Sequence, residues 1–375
     1  MRLTLSSVSE NKQKPGFDLE DTGRIFNRKT IKKGVILFLF ISIAALAGIF
    51  LYSNTENSLE ALSNLKPVYL LLIFPLSFLD LWLGGLRIHV FTRKLNPGAS
   101  TWLSFRANLA NIFMGAVTPS QTGGGPAQLF ILHQGGISVA RGMSIGVINF
   151  LSTIVFFVIA SGGALLFLGG SFSSKIINHL IIAGFVVFCL QFIIVLTALL
   201  KPSIFERFFH FLTGLFSRVP RIAKKTESLR EWFGRFVEHY GNTCKFFFNK
   251  ELMVVAQSFV LTAVLYLNKF TLAYFIMKGI GGAGGYMDVI ALHMLIFFIS
   301  YFAPSPGASG VAELTTAALM SSVISRNLLP VFTLLQRFFL LYIPVILGVF
   351  TVLRALKGAE TRNIPGDSAE ESGGI

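Results

Sequence analysis

Six long apolar runs dominate this sequence of 375 residues and limit the folds that it can adopt. A helix needs about 20 apolar residues to cross the hydrocarbon core of a bilayer. Only 13% of the residues are charged, whereas soluble domains carry about 25%, so we expect an integral membrane protein. Because backbone in lipid must satisfy its own hydrogen bonds, the predicted fold class is all-α. The predicted spans are 35–52, 68–90, 142–168, 177–200, 252–277 and 328–353.

Two shorter apolar segments end in helix-breaking motifs that match each other. Segment 101–117 runs into TPSQTGGGPAQL at 118–129, and segment 287–302 runs into APSPGASGVAEL at 303–314. A short helix is predicted after each break, at 126–134 and at 311–324. At a constant offset the motifs pair Pro119 with Pro304, Ser120 with Ser305, Gly125 with Gly310, and Gln128 with Glu313. Broken backbone at membrane depth is tolerated where it lines a cavity, and repeated breaks are typical of transporter substrate sites.

The basic residues predict how the chain is oriented in the membrane. The leader 1–34 is basic, the next predicted turn carries Arg87, Arg93 and Lys94, and segment 201–250 has ten Lys or Arg against four Glu. Lys and Arg favour the cytoplasmic side. All three clusters fall on that side only if the breaks belong to re-entrant hairpins rather than to spanning helices. We therefore predict two re-entrant hairpins, one entering from each face, within an inverted repeat.

This topology divides the chain into five predicted regions. The basic segment is expected to form amphipathic helices at the cytoplasmic interface, or alternatively a helical hairpin docked on the membrane core. The regions are a cytoplasmic basic leader at 1–34, a first membrane half at 35–200 with its re-entrant motif at 101–134, a cytoplasmic amphipathic segment at 201–250, a second half at 251–353 with its motif at 287–324, and a disordered cytoplasmic tail at 354–375.

The breaks offer hydrogen-bond donors to an anion. A helix that restarts after a break presents unpaired N–H groups and the positive end of its dipole, which bind phosphate. Small polar side chains at the bends would add neutral contacts, namely Ser120, Gln121, Thr122, Ser305 and Ser309. In the alternative interpretation, the glycines of the motifs only allow tight helix packing.

Charged residues inside apolar runs are costly in lipid and generally functional. We assign Glu313 a proton- or substrate-linked role, with a helix-dipole partner as the alternative. Asp80 and Lys269 are candidates for coupling, and both an Asp80–Lys269 and a Glu313–Arg337 ion pair are compatible with the sequence. The arginines that we expect either to attract phosphate or to reach ordinary headgroups are Arg141, Arg326 and Arg337.

The remaining composition argues against several other classes of site. The two cysteines and six histidines lack the spacing of a metal site, so we predict no metal, no cofactor and no catalytic set. The net charge of +14 lies mostly beside apolar runs, which favours anionic lipid headgroups over nucleic acid as partners.

The motifs PSQTGGGP, HQGG and PSPGASGVAE resemble the paired signatures of the lysylphosphatidylglycerol synthase transmembrane-region family. This family includes the flippase-like membrane half of the bacterial multiple peptide resistance factor. The resemblance covers about 30–355 and implies a helical membrane fold with re-entrant elements, and lipid translocation or a role beside lipid-modifying enzymes. By motif position it implies a site at Pro119, Ser120, Gly123, Gly124, Pro304, Gly307, Gly310 and Glu313.

The chain also departs from the family's pattern. An Arg and an acidic residue are common in the first motif, where this chain has Gln121 and Gly125, so a carboxylate in both hairpins is not expected. The soluble aminoacyl-transferase domain of full-length members has no room after residue 353. We therefore do not expect this chain alone to transfer lysine from tRNA.

The sequence thus predicts a flippase-like protein of the inner (cytoplasmic) membrane, with both termini in the cytoplasm. Its predicted substrate is an anionic phospholipid or a polyprenyl-linked lipid. One alternative is a membrane-embedded enzyme that modifies a lipid headgroup, with Ser120, His133 or Glu313 as nucleophile or base. The other is a scaffold that binds lipid-synthesis enzymes through segment 203–249.

Overall fold

A computed structural model describes residues 28–53, 66–168, 175–201, 203–204, 207 and 220–362 of the protein. Within these residues the protein is mainly helical and contains no strand. The all-α prediction is confirmed. The helices are α1 (Arg28–Tyr52), α2 (Pro67–Leu95), α3 (Thr101–Val117), α4 (Gly124–Gln134), α5 (Val139–Leu168), α6 (Lys175–Leu200), α7 (Pro220–Lys250), α8 (Leu252–Gly279), α9 (Tyr286–Tyr301), α10 (Val311–Met320), α11 (Leu329–Arg337) and α12 (Ile343–Arg362). Short 3-10 turns precede three of them, at Pro119–Gln121, Pro306–Ala308 and Arg326–Leu328.

Six helical stretches within the described residues are long and apolar enough to cross a bilayer, as predicted. They are Lys29–Tyr52, Pro67–Leu95, Val139–Gly163, Ile182–Leu200, Leu252–Gly279 and Arg326–Gly358. Their outward faces carry large apolar side chains, such as Phe40 and Ile159, which are 70% and 68% exposed. Such a surface is unfavourable in water and favourable in lipid. The chain is therefore a multi-pass membrane protein.

Both predicted breaks are present between helices. The first separates α3 from α4 and the second separates α9 from α10. The helices on either side of each break pack against each other. In the first pair, Asn111 Nδ2 donates to Gln128 Oε1 at 3.0 Å. Each pair is thus a compact helical hairpin, and its entry and exit on one membrane face, like the inverted relation of the halves, stays a prediction.

The second and fifth predicted spans pack against each other. Helices α2 and α8 form the most extensive contact between two helices of the described chain. Asn268 Nδ2 of α8 donates to the carbonyl of Leu76 in α2 at 2.9 Å. Helix α2 also packs closely on α3, where a Cβ added to Gly85 would lie 2.9 Å from Phe105 Cα. Helix α2 therefore joins the first hairpin to α8.

The last predicted span contains an irregularity that the sequence analysis did not predict. A π-helical turn, Phe338–Tyr342, joins α11 to α12 directly after Arg337. Ser77 Oγ of α2 donates to the carbonyl of Phe339 at 2.9 Å, which satisfies an acceptor within the turn. Because π-turns reorient the side chains around them and often occur at functional sites, Arg337 lies at a structurally distinctive position.

The structure corrects the grouping of one basic residue and the start of the tail. Arg87, which we grouped with the basic turn although it falls in the predicted span 68–90, lies within α2, and its Nη2 donates to Asn149 O and Thr153 Oγ1 of α5 at 2.7 and 2.9 Å. These two acceptors pair one end of the half-buried guanidinium, while its Nε has no partner within the described residues. The tail also begins later than predicted, since α12 continues to Arg362. The predicted leader up to residue 27 and the tail from residue 363 lie outside the described residues.

Helix α7 is the described part of the basic segment, and it is docked on the bundle. Its Tyr240, Cys244 and Phe247 are buried. The Phe247 ring meets the Phe91 ring of α2 edge-on at 4.9 Å, and Ser144 Oγ of α5 donates to the carbonyl of Tyr240 at 3.3 Å. The docking favours the second predicted arrangement for 220–250, in which the segment packs on the membrane core.

We expect the Cys244 thiol to resist alkylation while α7 is docked. Burial raises the pKa of this thiol, although hydrogen bonds with Ser144 and Tyr240 act in the opposite direction, so little thiolate forms near neutral pH. In a Cys189→Ser background, maleimide labelling of the folded protein should be slower than that of the unfolded protein by about tenfold or more. Labelling should accelerate as the pH rises. Equal rates before and after unfolding would contradict the docking.

Candidate functional site

The two breaks touch each other. The backbone N–H of Ser120 donates to the carbonyl of Pro304 at 3.2 Å. Within the first break, Thr118 Oγ1 donates to Met114 O at 2.6 Å and accepts from Gly123 N at 2.8 Å. This side chain thereby binds both the end of α3 and the start of α4. The two interruptions of the predicted repeat thus form one shared region.

Both breaks hold residues at positive φ, where glycine is favoured. The φ angles are 57° at Gly307 and 82° at Gly310, but also 50° at Ser120, 57° at Gln121 and 56° at Ala308. A residue with a Cβ is strained in this region, and such strain persists only where surrounding contacts impose it. Packing between the breaks, and not glycine content alone, therefore determines their shape.

Glu313 lies in the first turn of α10 and is fully buried. Its Oε2 accepts from the backbone N–H of Gly310, the N-cap residue, at 2.7 Å. A carboxylate at this position is favoured by the helix dipole, as the alternative interpretation expected. One backbone bond does not compensate a fully buried negative charge, so Glu313 requires a cation as well.

Arg337 is that cation. Its Nε donates to Glu313 Oε1 at 3.0 Å and its Nη2 donates to Oε2 at 2.9 Å, a two-point contact that fits the planar guanidinium. The same group reaches the carbonyls of Gly307 and Ala308 at 3.4 and 3.3 Å. This ion pair, one of the two that the sequence left open, joins α11 to the second break.

Helix α1, which lies outside the predicted repeat, adds a third polar group to the second break. Ser42 Oγ lies 2.9 Å from Ser309 Oγ and donates to Glu313 Oε1 at 3.2 Å. In the first break, the residue matched to Glu313 is Gln128, which binds Asn111 instead. The two breaks therefore differ in charge and in the helices that hold them.

A second ion pair lies between α2 and α8. Lys269 Nζ donates to Asp80 Oδ2 at 2.7 Å, and the two side chains are only 17% and 6% exposed. The other carboxylate oxygen, Asp80 Oδ1, is buried and has no hydrogen-bond partner within the described residues. This is the other ion pair that the sequence left open, and it joins the two most closely packed helices.

A polar cavity of about 250 Å³ lies between the breaks. Lys269 of α8 and Arg337 of α11 both line it, and so do Gln121 of the first break and Gly307 of the second. Its other polar side chains are Asn111, Tyr266, Ser300, Tyr301, Thr316 and Gln336. The cavity can therefore offer two cationic groups and several neutral hydrogen-bond partners to one small polar group.

The structure brings some of the predicted site residues to this cavity and leaves others away from it. Gln121, Lys269, Gly307 and Arg337 line it, and Glu313 and Asp80 hold its cations. Gln128 and Gly124 contact Asn111 behind the wall, and Gly123 contacts Thr118. The residues found elsewhere on the breaks, exposed or half-buried, are Pro119, Ser120, Thr122, Pro304, Ser305 and Gly310.

Arg141 and Arg326 do not line the cavity. Arg141 is an exposed residue near the start of α5. The Arg326 guanidinium lies 3.6 Å above the Tyr52 ring and donates to the carbonyl of that residue at 2.8 Å. We therefore leave both arginines out of the site proposed below.

Several cavity residues were missed because their pattern is weak in sequence. Asn111, Ser300 and Thr316 are single polar residues in apolar helices, a signal that many buried hydroxyls share. Gln336 is a further polar residue in an apolar run, and its Nε2 lies 2.8 Å from Nε2 of the buried His293. His133, a residue of the enzyme alternative, is exposed at the opposite end of α4 from the break.

The chain also has identifiable relatives. The family described as the lysylphosphatidylglycerol synthase TM region matches residues 36–348. A UPF0104 membrane protein of Archaeoglobus fulgidus is 23% identical over 317 residues, covering 84% of this chain and 94% of the relative. A UPF0104 membrane protein of Methanocaldococcus jannaschii is 22% identical over 330 residues, covering 86% and 95%. The family match spans both breaks and four of the six candidate spans in full, so this chain belongs to the lysylphosphatidylglycerol synthase TM region family.

Proposed function

We propose that this protein binds the anionic headgroup of a membrane lipid in the polar cavity and carries it across the bilayer, as a flippase-like transporter. The observation that supports this most strongly is that Lys269 and Arg337 line one cavity inside a bundle of membrane-spanning helices. Ionisable groups at membrane depth are expensive and typically mark substrate paths. Membership of a family named after a lipid-synthesising enzyme supports a lipid as the substrate.

Arg337 and Lys269 both keep N–H donors that their carboxylate partners do not use. Arg337 uses Nε and Nη2 for Glu313, while its Nη1 has only a 3.4 Å contact with the carbonyl of Gly307. Lys269 has three N–H donors and uses one for Asp80. A phosphate group can therefore bind both cations without displacing either carboxylate. Pairing keeps the empty cavity close to neutral, which lowers the cost of holding these charges in the membrane.

The neutral groups of the cavity suit the substituents of a phosphodiester. The side-chain amides of Asn111, Gln121 and Gln336 and the hydroxyls of Ser300 and Thr316 can bind glycerol or sugar hydroxyls. A volume of about 250 Å³ accepts a headgroup but not the hydrocarbon chains as well. An anionic phospholipid or a polyprenyl-linked lipid fits this division, with its headgroup inside and its chains among the lipids.

Transport requires the contact between the breaks to open. If the hairpins enter from opposite faces, the Ser120–Pro304 bond lies where the two half-paths meet. Breaking one backbone hydrogen bond costs about 0.5–1.5 kcal/mol, which is compatible with repeated opening. Basic residues near the apolar runs support a cytoplasmic-membrane location with both termini inside.

Neutralising the Asp80–Lys269 pair tests this proposal. We expect the Asp80→Asn/Lys269→Gln variant to fold, because neither replacement is larger than the original side chain and removing both charges leaves no unpaired ion between α2 and α8. In vesicles, its transport of a fluorescent phosphatidylglycerol should fall about tenfold or more, since one charged hydrogen bond contributes about 1.5–3 kcal/mol. Transport is measured as the rate at which dithionite-protected label reaches the outer leaflet.

The matched control is Lys278→Gln, which removes a lysine from the same helix but outside the cavity. It should transport at the original rate. A normal rate in Asp80→Asn/Lys269→Gln, with thermal unfolding confirming its fold, would remove Lys269 from the proposed site. Equal loss in both lysine variants would indicate an unspecific charge effect and would also contradict the proposal.

A further inference from the structure

An apolar groove lies beside the polar cavity and belongs to no site described so far. It has a volume of about 760 Å³ and is formed by α5, α8 and α9. All of its lining residues are apolar: Val155, Phe156, Ile159, Ala160, Gly163, Phe259, Val260, Ala263, Leu267, Phe270, Met287, Ile290 and Met294. No group in this set can bind a polar ligand, so any occupant must be hydrocarbon-like.

The groove opens towards the surrounding lipid. Its rim residues Ile159, Val260 and Met287 are 68%, 63% and 61% exposed, whereas Phe270 at its floor is fully buried. Two of its three walls, α5 and α8, include candidate membrane spans. The exposed side of these helices faces the hydrocarbon of the bilayer, which places lipid chains at the mouth of the groove.

A wall of paired aromatic rings separates the groove from the polar cavity. Phe156 and Phe270 line the groove, while Tyr266 and Phe297 line the cavity. The Phe156 and Tyr266 rings are stacked with their centroids 5.1 Å apart, and the Phe270 and Phe297 centroids are 6.2 Å apart. The two spaces are therefore adjacent, as the headgroup and the chains of one lipid are.

We propose that the groove holds one hydrocarbon chain of the lipid whose headgroup occupies the polar cavity. This inference rests on the proposed function. A chain gains little from the hydrophobic effect when it leaves the bilayer for the groove, because lipid tails are as apolar as the lining side chains. The gain comes from close packing against the fixed aromatic floor. The groove would thus select the shape of the chain, while Lys269 and Arg337 select the charge of the headgroup.

Gly163→Trp is the variant that fills the groove. A Cβ added to Gly163 meets no atom within 4 Å, so the change adds an indole to open space with no clash at its base. Gly146→Trp is the matched control, since Gly146 lies on the same helix, is equally open at the Cβ, and does not line the groove. Ala160→Phe fills the groove from the same helix if the first variant folds poorly.

The probe is phosphatidylglycerol with a photoreactive diazirine in the middle of one acyl chain, reconstituted with the full chain in vesicles. We expect adducts on groove residues such as Phe270 and Met294, an at least fivefold loss of these adducts in Gly163→Trp, and no loss in Gly146→Trp. Adducts spread evenly over lipid-facing residues such as Phe40 and Ile193 would overturn the groove assignment, because they show annular lipid only.

A second measurement separates this proposal from the proposed function. Binding of water-soluble glycerol phosphate should be unchanged in Gly163→Trp and should weaken in Asp80→Asn/Lys269→Gln, because the two variants alter different spaces. Groove adducts that are equally strong with a photoreactive phosphatidylcholine, and equally strong in the Asp80→Asn/Lys269→Gln variant, would overturn the link between groove and headgroup. Normal glycerol phosphate binding in Asp80→Asn/Lys269→Gln would instead contradict the headgroup site alone.

Discussion

Arg337→Leu is expected to destabilise the folded protein by about 3–5 kcal/mol, among the largest effects of any single substitution in this chain. The substitution leaves the Glu313 carboxylate fully buried without its cation. It also removes the donor that reaches the carbonyls of Gly307 and Ala308 in the second break. The measurement is thermal or denaturant unfolding of the purified protein in a mild detergent.

A double variant distinguishes an unpaired charge from simple loss of packing. Glu313→Gln/Arg337→Leu removes both charges, so it should recover most of the stability that Arg337→Leu loses. The matched control is Arg326→Leu, because Arg326 is exposed beside Tyr52 and is expected to change stability by less than about 1 kcal/mol. A stable Arg337→Leu protein would show that the ion pair is not a principal contact of the second break.

Gly310→Leu is expected to distort the second break and to abolish most transport. Gly310 has a φ of 82° and a ψ of −57°, a conformation that residues with a Cβ adopt only at about 1–3 kcal/mol each. A Cβ at this position would also lie 3.2 Å from Ile41 Cγ2 of α1. Because Gly310 N donates to Glu313, a shift of this residue moves the carboxylate that orients Arg337.

The first break provides the control for this substitution. Gly125 is the residue that the repeat matches to Gly310, but it lies within α4, is exposed, and has no atom within 4 Å of an added Cβ. Gly125→Leu should therefore keep both stability and transport. Gly310→Ala should retain the backbone strain with a smaller clash and give an intermediate effect. If Gly125→Leu and Gly310→Leu behaved alike, the asymmetry between the breaks would have no functional meaning.

The spans and breaks could be predicted because each is a local property of the sequence. An apolar run of span length has few alternatives, and Pro119 or Pro304 followed within a few residues by glycine is a strong local signal for the end of a helix. The grouping of Arg87 with the basic turn failed because its partners are distant in sequence. Its hydrogen-bond acceptors, Asn149 and Thr153, lie on another helix, which composition cannot reveal.

The candidate site was only partly predictable for the same reason. Opposite charges in the sequence allowed both ion pairs of the site. Helix packing, however, determines that Lys269 pairs with Asp80 and that Arg337 pairs with Glu313. The π-turn after Arg337 and the cavity itself leave no clear signal in the sequence. Arg141 and Arg326 were predicted to attract phosphate, yet they lie away from the cavity, so a basic residue near a span did not guarantee a place in the site.

The contact of Ser42 with the second break has a consequence for biogenesis. Ser42 bonds to residues that follow it by 267 and 271 positions, so α1 is synthesised long before its partners exist. Glu313 likewise leaves the ribosome before Arg337, which follows it by 24 positions, and an unpaired carboxylate is unfavourable in the membrane. The second break therefore completes only when the last helix inserts, and until then α1 must remain close enough to receive it. A nascent chain interrupted before α11 would display an unpaired acidic residue, which is a feature that membrane quality control could recognise.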